Sequence, residues 1–279
     1  MSYDIFITYE MMYDDIMTCL MPKIPRDIVA VFGVPRSGLI PASMVSSEFN
    51  IPMGVVGCDT LFGGNRIGEI NSQLKEKILV VDDSVGSGRT FKKHKNDIDN
   101  LMCRYNVVKS CVYMSHGNED VVSIFAKRIK SPRIFEWNLF NSYKISDMIF
   151  DMDGVLCQDS NVFDDDGIEY QNSLIQAVPL HIPRYPIKAI CTSRLEKWRD
   201  ITEDWLKRFG VKYGSLVMCP FKTAKERREN GNKAKYKANT YVNLNGSLFV
   251  ESSVIQAKNI AKFSNRNVLS LDDKKVYMP

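Results

Sequence analysis

The sequence predicts an α/β protein of two Rossmann-like domains, each built on a largely parallel sheet. Three observations carry the prediction. Short apolar runs alternate with stretches of helical periodicity along nearly the whole chain, the pattern of successive βα units. Two of those runs end in closely spaced carboxylates, Asp82-Asp83 and Asp151-Met-Asp153, and the carboxyl ends of parallel strands are where open α/β sheets place ligands. The length of 279 residues is long for one compact domain and comfortable for two.

Taken in order, the apolar runs place strands at Ile28–Phe32, Met53–Val56, Ile78–Val81, Val107–Tyr113, Met148–Phe150, Ile187–Cys191, Leu216–Cys219, Leu248–Val250 and Val268–Leu271. The clearest helix follows Arg194: Leu195, Trp198, Ile201, Trp205 and Phe209 recur at steps of three and four, and Gly210 stops the run. A second helix spans Ser252 to Phe263 on the apolar side Val254, Ile255, Ile260, Ala261 and Phe263. Thr60–Gln73 and Phe221–Asn239 read as loops, the latter with seven Lys or Arg against two Glu. The domain boundary falls near residue 143, dividing the chain into 1–143 and 144–279.

Composition excludes several classes. The 37 basic and 33 acidic residues leave a net charge of +4, too weak to mark a nucleic-acid or membrane-surface protein. No run approaches the roughly 20 apolar residues that cross a bilayer. Met1–Glu10 carries Asp4 and Glu10 where a signal peptide would have basic and then apolar residues. Seven scattered cysteines with no C-x-x-C spacing read as small buried hydrophobes in a reducing compartment. The expectation is a cytoplasmic protein with no nucleic-acid partner.

The first chemical window is Ile78-Leu-Val-Val-Asp-Asp-Ser-Val-Gly-Ser-Gly-Arg-Thr90. An apolar strand ends in two carboxylates suited to a diol, because ionised carboxylates accept from hydroxyls. The Gly-Ser-Gly turn then lets backbone amides approach an anion. There is no G-x-G-x-x-G and no G-K-[ST] here, so neither a dinucleotide fold nor a Walker loop is indicated. The window resembles the phosphoribosyl-pyrophosphate (PRPP) motif of type I phosphoribosyltransferases. The resemblance implies that Asp82 and Asp83 hold the ribose hydroxyls. It also implies that the loop Val85, Gly86, Ser87, Gly88, Arg89, Thr90 holds the 5-phosphate. In the same family the turn Pro35, Arg36, Ser37, Gly38 corresponds to the pyrophosphate loop, with Arg36 offering delocalised charge to phosphate oxygens. Thr60–Gln73 takes the place of the family's flexible loop, with Arg66 facing pyrophosphate. Trp137 stands where purine-type members carry an aromatic acceptor-site residue.

The second window is Met148-Ile-Phe-Asp-Met-Asp-Gly-Val-Leu156. One acid can attack phosphorus while the other handles protons. The window is similar to the first motif of haloacid dehalogenase superfamily phosphatases. That likeness makes Asp151 the nucleophile and Asp153 the general acid/base. It makes Thr192 the phosphate-binding hydroxyl and Lys237, with Lys235 as the rival, the charge-neutralising lysine 14 residues before Glu251. It assigns Mg²⁺ to Asp151, Asp153 through its backbone carbonyl, and Glu251. The usual second acid after Glu251 is absent, with Ser252 and Ser253 following instead. Cys157 to Pro186 leaves 30 residues for a cap, too few for a large mobile one, so an open site is expected.

Together the two resemblances imply transfer of 5-phosphoribosyl from PRPP and then removal of the 5-phosphate. The pairing resembles bacterial ribofuranosyltransferases of surface-polysaccharide assembly. A glycan acceptor, membrane-linked in such systems, and Mg²⁺ at both sites are therefore expected. Two other readings stay open: nucleobase phosphoribosyl transfer coupled to a nucleotide 5′-phosphatase, and a regulator that senses PRPP without catalysis.

Overall fold

The computed structural model describes residues 3–63, 75–115, 117, 120–162 and 166–279, Asn230 by its backbone alone. The chain divides into two compact units, Tyr9–Ser131 and Met1–Thr8 with Pro132–Pro279. The sequence places its boundary near residue 143; the division lies earlier. The reason is local: β1 (Ile5–Ile7) pairs in parallel with β8 (Arg133–Phe135), so the segments around both belong to one unit. Arg66 and most of Thr60–Gln73 lie outside the described residues.

The unit Tyr9–Ser131 runs α1 (Tyr9–Asp15), β2 (Ile28–Gly33), α2 (Leu39–Phe49), β3 (Met53–Val55), β4 (Leu61–Phe62), β5 (Lys77–Val85), α3 (Arg89–Lys93), α4 (Lys95–Arg104), β6 (Asn106–Met114) and β7 (Ile124–Arg128). Its sheet has the order β4-β3-β2-β5-β6-β7, parallel except for β3 and β4. From β2 the chain passes outward to β3, then crosses back to β5 on the other side. The reversal of strand order lies between β2 and β5, which opens a crevice at their carboxyl ends. Ile78, Leu79, Val80 and Val81 are fully buried, as a strand covered on both faces requires.

The second unit adds β9 (Ile149–Phe150), α5 (Ile168–Gln176), β10 (Ile187–Leu195), α6 (Arg199–Arg208), β11 (Tyr213–Cys219), α7 (Ala224–Asn230), α8 (Lys233–Asn243), β12 (Phe249–Glu251), α9 (Val254–Ser264), β13 (Val268–Ser270) and β14 (Lys275–Tyr277). The sheet order is β11-β10-β9-β12-β13-β14, parallel except for β13 and β14. Here the strand order reverses at β9, flanked by β10 and β12. Two largely parallel sheets with helical connections make the fold the α/β class the periodicity indicated.

Two local readings are corrected. Leu195 ends β10 rather than opening a helix, and α6 begins at Arg199. Phe221–Asn239 is not a loop but mostly α7 and α8. Thr223 and Asn232 cap these helices, their side chains accepting from the Glu226 and Lys235 amides. The apolar stripe of α8 was masked because a lysine, Lys237, occupies a buried position between Ala234, Ala238 and Tyr241. The helix after the Gly-Ser-Gly turn is short, α3 giving way at His94 to α4.

Candidate active sites

In the first unit, β5 carries Asp82 and Asp83 at the crevice, 4% and 6% exposed. The Asp83 amide donates to Asp82 Oδ1 at 2.9 Å. Burial, then the neighbouring charge of Asp83, pushes the Asp82 carboxyl up to about 9. Beyond them the chain turns through Gly88, whose φ of +69° suits glycine, into α3. Phe91 anchors that short helix in the core. Gly86, Ser87 and Arg89 are exposed along this turn, Val85 and Gly88 are buried, and Thr90 is half-buried.

Across the crevice, β2 leads into Pro35, Arg36, Ser37 and Gly38. The turn is held by Gly38 N–H donating to Val34 O at 3.0 Å and by Val34 N–H donating to Val81 O at 2.9 Å. A Cβ on Gly38 would lie 2.5 Å from Val34 O and 2.7 Å from Val81 O. The missing side chain therefore lets this loop close onto the end of β5. The Pro35–Arg36 peptide is cis, and Arg36 is exposed. So the two loops that the PRPP resemblance selected stand side by side at one topological switch point.

This architecture accords with a comparison of families. Residues 10–142 match the phosphoribosyl transferase domain family. This stretch is a phosphoribosyltransferase domain. Solved structures with similarity include a purine phosphoribosyltransferase from Pyrococcus horikoshii, with 21% identity and a TM-score of 0.39 over 48% of this chain and 93% of that one. Another is the xanthine-guanine-hypoxanthine phosphoribosyltransferase of Helicobacter pylori, with 18% identity and a TM-score of 0.41 over 50% and 95% of the two chains. The orotate phosphoribosyltransferase of Aeropyrum pernix gives 19% and 0.31 over 43% and 70%. No curated protein matches the chain.

In the second unit, β9, β10 and β12 bring the other acidic window together. Lys237 Nζ donates to Asp151 Oδ2 and to Glu251 Oε2, both at 2.7 Å. All three side chains are buried, Lys237 at 1% and Glu251 at 0%. Burial and then Glu251 push the Asp151 carboxyl well above its usual range, with Lys237 opposing. Burial alone would lower the lysine, but Asp151 and Glu251 hold its proton on. Lys235, one turn-step away, is exposed.

Asp153 faces a different cation. Arg194 Nε donates to both of its carboxylate oxygens at 3.1 and 3.0 Å, and Nη2 reaches Oδ1 at 2.5 Å. The remaining Nη1 is fixed on Thr202 Oγ1 at 3.1 Å. Thr192 is fully buried, its hydroxyl accepting from the Arg194 amide at 3.1 Å. The Asp153 carbonyl accepts from Ser252 Oγ at 3.2 Å.

Among the described residues no three His, Cys, Asp or Glu side chains are grouped to hold a metal ion. The expected set has two carboxylates, Asp151 and Glu251, with the Asp153 carbonyl. Lys237 meets both carboxylates, while Arg194 meets that of Asp153. Asp151 and Glu251 set two carboxyl groups, hard oxygen donors of the kind Mg²⁺ takes, beside one ammonium.

A cavity of about 480 Å³ opens over Asp151 and Asp153. Among the residues that line it, sequence reading missed Ser193, Arg194, Arg227 and Lys233. The Arg227 guanidinium donates to Ser193 O at 2.6 Å and is 6% exposed. The Ser193 hydroxyl is buried with no hydrogen-bond partner among the described residues, a donor in want of an acceptor. The signal for Arg194 was present, since it lies two residues beyond Thr192 on one strand and so shares its face. Arg227 and Lys233 lie on α7 and α8, whose charged and polar residues leave no apolar period to mark a helix in the sequence. Trp137 lies in this same unit, its ring stacked on Phe135 at 4.7 Å. No helix among the described residues is long and apolar enough to cross a membrane.

Proposed function

We propose that the chain is a bifunctional enzyme. The first site transfers 5-phosphoribosyl from PRPP to a hydroxyl of a growing surface glycan in the cytoplasm. The second, of haloacid dehalogenase type, then removes the 5-phosphate and leaves a ribofuranosyl group. The observation that carries this reading is the second carboxylate-tipped strand: Asp151 against Lys237, and Asp153 clamped by Arg194, under a cavity with four basic residues.

In the transfer, the bond from ribose C1 to pyrophosphate breaks as the acceptor oxygen bonds to C1, and the acceptor proton leaves. Asp82 and Asp83 accept from the ribose hydroxyls, and the loops 35–38 and 85–90 hold the two phosphate ends. In the second step an Asp151 oxygen bonds to phosphorus. The 5-oxygen leaves with a proton from Asp153, and Asp153 then takes a proton from the water that hydrolyses the aspartyl-phosphate. Thr192 and Lys237 hold the phosphoryl oxygens. Mg²⁺ beside Asp151, Glu251 and the Asp153 carbonyl would offset phosphate charge.

The test is an acceptor screen with PRPP and Mg²⁺, read by mass spectrometry, with wild type beside Asp151→Asn. The variant is expected to accumulate a phosphoribosylated acceptor that the wild type converts to the ribosylated one. A nucleobase as the sole productive acceptor would replace the glycan reading with the nucleobase one. Identical products from both proteins would remove the phosphatase assignment, and PRPP binding without turnover would make the chain a sensor.

A further inference from the structure

A second cavity, of about 490 Å³, adjoins the one over Asp151 and Asp153, the two sharing Asp159, Ser252 and Ser253 in their walls. The joint between them depends on Gly154. This residue sits at a φ of +74°, and a Cβ there would lie 2.5 Å from Ser252 Cβ and 2.9 Å from Asp159 Oδ2. Glycine thus allows the Asp159 carboxylate and Ser252 to close around the chain just after the catalytic acids.

The walls of the two cavities differ in charge. The first sets Arg194, Arg227, Lys233 and Lys237 against Asp151, Asp153 and Asp159. The adjoining one carries Asp159 and Asp272, with no lysine or arginine among the described residues, together with His181 and Leu271. The His181 ring is stacked face to face on Phe140 at 4.2 Å, and its burial favours the neutral imidazole. The Leu271 and Asp272 amides donate to the Glu251 and Ser252 carbonyls, which ties this wall to the end of β12.

We infer that the adjoining pocket binds an uncharged, hydroxyl-rich saccharide, the sugar that carries the phosphoribosyl group, while the basic cavity takes the phosphate. Carboxylates accept from sugar hydroxyls, and Leu271 offers an apolar surface to a ring's C–H face. The same carboxylates repel a second phosphate, so a nucleotide or a phosphorylated aglycone fits poorly. The inference rests on the phosphatase reading and gives it a substrate class.

The experiment follows phosphate release by the full chain from three compounds with Mg²⁺: p-nitrophenyl phosphate, adenosine 5′-monophosphate and a synthetic 5-phosphoribofuranosyl hexoside. Wild type is expected to prefer the hexoside. In Asp272→Asn and in His181→Ala, kcat/KM for the hexoside is expected to fall about tenfold relative to that for p-nitrophenyl phosphate, the loss of a hydrogen bond to ligand. Binding of the dephosphorylated ribofuranosyl hexoside, followed by saturation-transfer NMR, is expected to weaken in the same variants. An unchanged ratio, equal binding, or the nucleotide as preferred substrate overturns the pocket while leaving the phosphatase in place. No hydrolysis of any compound overturns both.

Discussion

Lys237 stands between Asp151 and Glu251, one ammonium against two buried carboxylates. Removing it would leave both buried acids without their counter-charge. Lys237→Met is therefore expected to lower stability by about 3–5 kcal/mol, read from the denaturant midpoint. Adding Asp151→Asn to that variant should recover part of the loss, because one buried charge then disappears. Asp82 gives the opposite kind of prediction. Its folded carboxyl titrates near 9 against 3.8 for an unperturbed aspartate, so between those values the folded protein holds a proton that the unfolded chain releases. Stability from this group is present at low pH and is lost as pH rises through that window. Melting temperatures from pH 5 to 9 should fall in wild type relative to Asp82→Asn. A parallel course for the two proteins would show that Asp82 is already ionised.

At the scale of elements, each site is the meeting of a few strand ends, and backbone contact sets how closely they meet. Gly38 shows this most directly, since its Cβ would press on carbonyl oxygens of both β2's turn and β5. Gly38→Ala is expected to cost about 1–3 kcal/mol by overpacking and to weaken PRPP binding, measured by chemical denaturation and by calorimetric titration. The long strands were legible because buried parallel strands are continuous apolar runs, as at Ile78–Val81. The edge strands β4, β7 and β14 were not, for they are short and partly exposed, as Lys127 and Arg128 in β7 illustrate. Helices α7 and α8 were hidden for another reason. Lys237 and Arg227 occupy buried positions that an apolar pattern cannot reveal.

For the whole molecule, the two units predict separable responses to ligand. Hydrogen exchange should slow around residues 33–42 and 82–92 when PRPP and Mg²⁺ are added, because a ligand bound to the folded state suppresses local opening. Inorganic phosphate should instead protect residues 151–157 and 192–194. Protection of one unit by both ligands would contradict the assignment of a separate phosphate site to each.

By itself the sequence determined the α/β class, the nine principal strands and the two acid-tipped windows. These are local properties: an apolar run, a glycine turn and a pair of carboxylates are contiguous and carry their meaning with them. What only the tertiary structure decided was the company each acid keeps. Arg194 reaches Asp153 across 41 positions of chain, and Lys237 reaches Asp151 across 86. The pairing of β1 with β8, the division before residue 132 and the cavity at Asp159, His181 and Asp272 likewise join distant segments. Partners of a buried charge are chosen by which strand ends the sheet order brings together, and that order is not written in any window of the chain.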